Sequence, residues 1–317
     1  MTEIKYHSHI ETNSPIILAG WPGMGAVATQ AVDYIRRKLN MKLFAEIEPH
    51  ASTPPNTVIV SQGISYFPKK SRVFLFYSKE YDLIVCEAEE QFTGNAALKV
   101  VQNLLEITEK VNVSRIYTGA AFVRHMHYKE DPEIYVVSNS KKLRDWLVRE
   151  KELNILNQGQ ISGLNGSILG FAYEKNIEGA CFLATIPIYS INFPNPKASM
   201  AIVKIWQKLI GFNLDFMDLH IAISKADKTF EIIEEQLKKM TLGDHTDEQI
   251  ESIDENEEFP QTENAPVPYD IIEGIEELFT KAQKDKTIAH KLKEDLDRWN
   301  LFKEYEDRFL DLFRDSH

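Results

Sequence analysis

The sequence predicts an α/β protein of three layers, a mostly parallel, mixed sheet between helices, with a helical appendage at its C-terminal end. Three observations carry this. Apolar runs such as Ile16-Ile17-Leu18-Ala19, Leu83-Ile84-Val85-Cys86 and Ala180-Cys181-Phe182-Leu183 are continuous rather than alternating, as in strands buried on both faces. Segments of helical periodicity lie between them, the order of β–α units. A turn of three glycines and a proline, Gly20-Trp21-Pro22-Gly23-Met24-Gly25, joins the first strand to the first helix.

Each element follows from its pattern. The apolar run from Ile16 enters the glycine turn, and residues 27–39 leave it at helical spacing. Residues 42–48 alternate as a second strand, and 57–60 and 73–77 follow, with Gly63 and Pro68 marking turns. This β-rich patch without helices reads as an antiparallel excursion. Residues 82–87 form a fully buried strand, and 95–111 place Leu98, Val101, Leu104, Leu105 and Thr108 on one helical face. Residues 114–120 give a strand ending at Gly119, and 134–137 with the helix 141–149 make a further β–α pair. A glycine-bearing segment, 159–170, leads to the strand 180–185. Pro187, Pro194 and Pro196 then make a loop before a helix at 198–209. A long helix over 215–240 carries the stripe Leu219, Ile223, Ala226, Phe230, Ile233 and Leu237.

Beyond it the composition changes. Nine acidic residues and no lysine or arginine lie between Asp244 and Glu263, with Pro260, Pro266 and Pro268 near the end of the segment. Such a segment buries too little to order itself. The expected division is an α/β domain at 1–240, an acidic flexible linker at 241–268 and a helical segment at 269–317.

A net charge of −12 without a basic, aromatic-laced stripe excludes nucleic acid as a partner. No apolar run is long enough to span a bilayer, and the start, Met1-Thr2-Glu3-Ile4-Lys5, lacks a signal-peptide pattern, so a cytoplasmic protein is expected. Cys86 and Cys181 sit in apolar runs as buried free thiols.

Four segments taken together resemble the proteasome assembly chaperone 2 family. They are Leu18 to Gly25 with its helix and the strand to Glu46; Asp82 to Glu87 through Ile116-Tyr117-Thr118-Gly119; Ile161-Ser162-Gly163 through Gly170 to Gly179-Ala180-Cys181 and the Pro187–Tyr189 loop; and Ile275-Glu276-Glu277-Leu278-Phe279 with the tail from Glu304 to Phe313. The resemblance implies a domain similar to the nucleoside phosphorylase/hydrolase-like fold and assembly into rings or compact oligomers, a trimer among them. It implies protein clients, with the proteasome core as the client of some relatives. Relatives that dock between proteasome α-subunits end in a hydrophobic residue, a tyrosine and one further residue. Here the sequence ends Asp315-Ser316-His317, so docking by that route is not expected.

Several residues are candidates for binding. Gly23-Met24-Gly25-Ala26-Val27-Ala28 satisfies the dinucleotide pattern G-x-G-x-x-[G/A], and Glu46 or Glu48 ends the next strand, where a ribose-binding acid lies. The bulky Trp21 and rigid Pro22 argue against a pyrophosphate there, and they read as a packed lid or a subunit-contact anchor. A nucleoside or nucleotide pocket would draw its donors from Gly20 to Gly25 and Gly119, its positive group from Arg124 and its acid from Glu87. His125-Met126-His127 can hold a metal on a strand, with Asp131 or Glu133 as third ligand, but reads first as a polar loop. No nucleophile elbow and no paired catalytic acid is present. The leading expectation is a non-catalytic homo-oligomer that binds proteins, without cofactor or metal. The alternative is an enzyme or sensor using the Gly20–Gly25 loop as a phosphate site.

Overall fold

Strands that are apolar on both faces need cover on both faces, and the computed structural model supplies it. It describes residues 3–49, 58–67, 69–151, 153–242 and, toward the C-terminus, 275, 278–282, 288–298, 301, 302, 305, 308, 309 and 312. In chain order these are β1 (Glu3–Tyr6), β2 (Ile16–Gly20), α1 (Val27–Lys38), β3 (Lys42–Glu48), β4 (Ile59–Ser61) and β5 (Ile64–Tyr66). Next come β6 (Val73–Ser78), β7 (Leu83–Ala88), α2 (Gly94–Lys110), β8 (Arg115–Arg124), β9 (Ile134–Ser138), α3 (Lys141–Lys151) and β10 (Asn154–Ile155). The series closes with α4 (Leu164–Glu174), β11 (Glu178–Pro187), α5 (Pro196–Ile210), α6 (Met217–Leu242) and α7 (Ala289–Arg298).

Nine strands form one mixed sheet in the order β1-β3-β6-β7-β2-β8-β11-β9-β10. Its centre, β7-β2-β8-β11, is parallel, and β1, β3 and β6 add to it as an antiparallel flank. The helix-free patch 42–77 accounts for that flank: antiparallel neighbours need no crossover helix. Alternate residues of the central strands feed two separate cores. Leu18, Val85, Tyr117 and Phe182 pack with α1, α3 and α5, whereas Ile17, Ala19, Ile84, Cys86 and Ile116 pack with α2 and α4. The sheet is thus the middle layer of three.

Three features depart from the sequence pattern. β9 and α3 form the expected β–α pair, leading to β10 parallel to β9, but β9 itself runs antiparallel to β11. A short edge strand, β1, pairs with β3 through residues too polar to signal a strand. And α4 occupies part of the glycine-bearing segment. It buries Leu164, Asn165, Ile168, Leu169 and Ala172, while Gly166 sits where a Cβ would lie 2.5 Å from the Ile161 carbonyl oxygen. Tertiary packing forms this helix despite its glycines.

Residues 1–246 and 247–317 form two compact units. In the second, Ile275, Phe279, Ala282, Ala289, Leu292, Leu296, Leu301 and Phe309 share a small core of their own. α6 continues to Leu242, and the rest of the expected acidic linker, 243–268, lies outside the described residues, as do Thr57 and Pro68.

Where α1 crosses β2 the fit leaves no room for a side chain. A Cβ on Gly20 would stand 2.7 Å from Val32 Cγ2 and 2.8 Å from the Ala28 carbonyl oxygen. Gly20→Ala is therefore expected to lower unfolding free energy by about 1–3 kcal/mol, net of the entropy that alanine removes from the unfolded chain. Urea denaturation measures it, and a stability equal to wild type would refute this account of the crossing.

Candidate functional site

The glycine turn lies where α/β sheets place their ligands, beyond the C-terminal ends of the parallel strands. β2 is flanked by β7 and β8, with Gly20 opposite Glu87 and Ala19 opposite Thr118. Gly20 to Gly25, Glu87 and Gly119 therefore come together at one end of the sheet, as the sequence grouped them. Three of the loop's backbone donors, however, are already engaged. The Trp21 N–H donates to Asn165 Oδ1 at 2.9 Å, and Asn165 Nδ2 donates back to the Trp21 carbonyl at 3.0 Å. The Gly25 N–H donates to the Ile191 carbonyl at 2.8 Å, and the Gly25 carbonyl accepts from the Asn195 N–H at 2.7 Å. The Ala26 N–H turns back to the Gly23 carbonyl at 2.9 Å, and Pro22 has no N–H to offer.

Gly25 (φ 63°) and Ala26 (φ 49°) are both left-handed. Glycine takes that conformation freely; alanine takes it at a cost of roughly 1–2 kcal/mol. The reciprocal bonds to the 191–195 segment hold it. Thr118 Oγ1 donates to the Asn165 carbonyl at 2.6 Å, so Asn165 ties the loop to α4 and α4 to β8. Asn195, whose Oδ1 accepts from the Ala198 N–H at 3.2 Å, caps α5 while its own N–H holds Gly25. Neither asparagine was singled out in the sequence. Asn195 did carry a signal, since asparagine before a proline marks a helix start. Asn165 carried none: its partners are more than forty residues away.

The other expected residues take structural places. The Trp21 side chain is fully buried among Ile17, Ala19, Leu164 and Ile168, so it is a packed residue rather than an exposed contact anchor. Gly119 faces Ile202, Trp206 and Ala28, the first of them 3.2 Å from an added Cβ, so it serves helix packing. Burial raises the Glu87 carboxyl, opposed by Arg36, whose Nε donates to Glu87 Oε1 at 2.7 Å. Arg36 also lies 4.8 Å over the Phe76 ring.

The dinucleotide reading fails on topology. Glu46 and Glu48 lie on β3, and β6 and β7 stand between β3 and β2, so neither acid ends the strand next to the glycine turn. Glu46 instead gathers basic side chains: Lys5 Nζ at 3.1 Å, His7 Nε2 at 3.5 Å and Arg72 Nη1 at 3.3 Å. Burial works to raise its carboxyl, but the hydrogen bond and charge of Lys5, the charge of Arg72 and the hydrogen bond from His7 outweigh burial and hold it low.

Further along, Arg124 is the last residue of β8, and His127 lies in the loop that follows. Arg124 is exposed, its guanidinium 5.6 Å over the Phe122 ring. His127 Nε2 meets Glu234 Oε2 of α6 at 2.9 Å, and its Nδ1 accepts the Lys129 N–H at 3.1 Å. Tyr189 OH also donates to Glu234. Burial, then this carboxylate, pushes the Tyr189 phenol well above its usual range. The histidine thus joins the loop after β8 to α6. Among the described residues, no group of three His, Cys, Asp or Glu side chains is placed to hold a metal. The cleft beside it, lined by Tyr128, Pro187, Asn195, Lys197 and Phe230, encloses about 10 Å³, room for one water at most. Burial raises both thiols, Cys181 to about 12, which keeps them protonated and unreactive.

Fold and site define an α/β protein whose glycine loop is tied by hydrogen bonds to α4 and to the segment before α5. The PAC2 family profile matches residues 17–241, and the chain belongs to the PAC2 family. It is similar to an uncharacterized protein of Methanocaldococcus jannaschii, 23% identical over 239 residues, covering 73% of this chain and 91% of that one. Among solved structures it is similar to Pyrococcus furiosus PbaB, an archaeal proteasome activator, with a TM-score of 0.63, 18% identity and coverage of 74% of this chain and 98% of PbaB. It is likewise similar to Pyrococcus furiosus PbaA, an archaeal homolog of proteasome-assembly chaperone, with a TM-score of 0.57, 18% identity and coverage of 76% and 95%. At that identity these two likenesses show the fold.

Two measurements test the site. Asn165→Ala leaves the Trp21 N–H and carbonyl buried without partners, so it should cost about 2–5 kcal/mol in urea denaturation; a loss below about 1 kcal/mol would rule out the clamp. For Glu46, whose carboxyl is held below its unfolded value of 4.5, the contribution to stability is complete above that value and disappears as pH falls through the lowered folded one. The stability gap between wild type and Glu46→Gln should therefore be flat near neutrality and shrink in acid. A gap that widens in acid would reverse the assignment.

Proposed function

We propose that this chain is a non-catalytic, self-associating protein of the assembly-chaperone type, which acts by holding other polypeptides and carries no cofactor. Its client is a protein, and its place of action is the cytoplasm. The observation that carries this reading is the glycine loop itself. A ligand site at the end of a parallel sheet works through free backbone N–H groups aimed outward. Here the N–H groups of Trp21, Gly25 and Ala26 are spent on the protein's own oxygens. Glu87, the acid beside them, is paired with Arg36. The end of the sheet that would serve chemistry is used for rigidity, which suits a scaffold that presents surfaces.

Membership of the PAC2 family supports the same reading, as do similar folds in an archaeal proteasome activator and a homolog of a proteasome-assembly chaperone. The helical unit after residue 246, with its small apolar core, adds further surface for a partner.

The test is native mass spectrometry of the full chain isolated from its own cells, paired with calorimetric titration of nucleosides, nucleotides and dinucleotides. Expected are stoichiometric protein adducts and no heat of nucleotide binding. Micromolar binding of a nucleotide that Gly25→Val abolishes in a still-folded protein would instead establish the phosphate-site alternative.

A further inference from the structure

The end of the sheet away from the glycine turn carries an open cleft. β8 and β11 start there side by side, with Arg115 opposite Glu178, and α3 borders them. The cleft has a volume of about 410 Å³, within the range of sites that hold a ligand. Buried Leu143 and partly buried Trp146 give it an apolar wall. Arg115, Lys142 and Arg149 bring cations to the lining, and Asp145 and Glu178 bring acids.

Much of this lining is already held in place. The Arg115 guanidinium lies 6.0 Å and the Lys151 Nζ 5.7 Å from the centre of the Trp146 ring. Lys151 Nζ also donates to the Lys208 carbonyl at 3.3 Å. Arg115 Nε donates to Glu178 Oε2 at 3.3 Å, and Ser140 Oγ donates to Glu178 Oε1 at 2.7 Å. The hydrogen bond from Ser140, then Arg115, hold the Glu178 carboxyl below its usual range although burial opposes them. Side chains fixed in this way lose little freedom when a ligand arrives.

Charge and hydrogen-bonding capacity choose the ligand. Residues 141–151 contain five Lys or Arg and two Asp or Glu, in a chain of net charge −12. Charges more than about 8 Å away are largely screened at physiological salt, so a ligand in the cleft responds to this local surplus rather than to the net charge. Lys142 and Arg149 call for anions, Asp145 for a hydrogen-bond donor and Trp146 for an apolar group. An acidic stretch of polypeptide carries all three, as side-chain carboxylates, main-chain N–H groups and an aromatic ring. A phosphate or a nucleic-acid backbone offers acceptors alone and sets them against Asp145 and Glu178. Arg149 pairs with its neighbour Glu150 at 2.9 Å, and both are exposed, so a ligand carboxylate displaces that pair at little cost.

We propose that the cleft between α3 and the starts of β8 and β11 binds an acidic, aromatic-bearing segment of a client polypeptide, with Lys142 and Arg149 on its carboxylates and Trp146 against its ring. This rests on the reading of the chain as one that holds other polypeptides, and it gives that reading a site and a ligand chemistry.

The experiment is fluorescence anisotropy of a labelled random copolymer of glutamate and tyrosine, titrated with the full chain at about 50 mM and about 0.5 M salt. The wild type should bind it, more weakly at the higher salt. Lys142→Glu combined with Arg149→Glu should weaken binding roughly 10-fold or more at low salt, because like charges then face each other. Trp146→Leu keeps every charge and should weaken it roughly 30-fold, the weight of one aromatic hot spot. Lys142 and Arg149 are exposed, so urea denaturation of the double variant should match wild type, and that variant decides the matter even where Trp146→Leu fails to fold. A wild type that ignores the copolymer, or a folded double variant that binds it as tightly, overturns the site. Equal binding of a lysine–tyrosine copolymer also overturns it, as does displacement of the acidic copolymer by inorganic phosphate at constant ionic strength. Native mass spectrometry of both chains from their own cells separates the two readings. A double variant that keeps every protein adduct of the wild type overturns the cleft and leaves the protein-holding reading intact; a wild type without adducts overturns both.

Discussion

The fold depends on how one turn satisfies its own backbone. β2 is the central parallel strand, and the chain must leave it and enter α1 within six residues. That demands two successive left-handed residues, Gly25 and Ala26, and places polar backbone among buried side chains. Buried amides without partners are costly, so each needs one supplied from elsewhere in the chain. Asn165 supplies both partners for Trp21, and the 191–195 segment supplies both for Gly25. The beginning, the middle and the late part of the α/β unit are joined at that point. The same bonds that stabilise the turn engage three of the donors that a phosphate would use, so rigidity and ligand binding compete for those N–H groups.

Charge is arranged around this joint so that few buried groups stand alone. Glu87 is held by Arg36, which is in turn sandwiched against Phe76. Glu46 is held by Lys5, His7 and Arg72, and Arg72 also reaches Glu48. These networks knit the antiparallel flank of the sheet, where β1 and β3 would otherwise present a polar edge. His127, Tyr189 and Glu234 do the same for α6, attaching it to the loops that follow β8 and β11. Such partly buried pairs fix arrangement more than they add stability.

The outside of the molecule contrasts with this closed interior. No helix among the described residues is long and apolar enough to cross a membrane, yet the β4–β5 ribbon leaves large apolar side chains in water. In this PAC2 family protein the sheet end is tied together by internal hydrogen bonds, and apolar side chains are displayed on a separate ribbon.

Much of the architecture was legible in the sequence, because burial on both faces writes itself as continuous apolar runs. β2, β7, β8 and β11 follow from that, as do the amphipathic helices α1, α2, α5 and α6 and the antiparallel flank. The grouping of Gly20, Glu87 and Gly119 at one end of the sheet was legible too, because adjacent parallel strands bring their C-terminal ends together. What the sequence alone could not determine was strand order and long-range hydrogen bonding. Glu46 looked like a ribose acid because it follows the glycine turn by one strand in sequence, yet two strands separate them in space. The direction of β9, the helix over 164–174 and the clamp by Asn165 were likewise decided only by tertiary packing. Residue types and periodicity fix which surfaces must be buried. Which distant carbonyl meets a given N–H is set by the assembled layers, and here that choice engaged three N–H groups of a ligand-binding pattern within the protein itself.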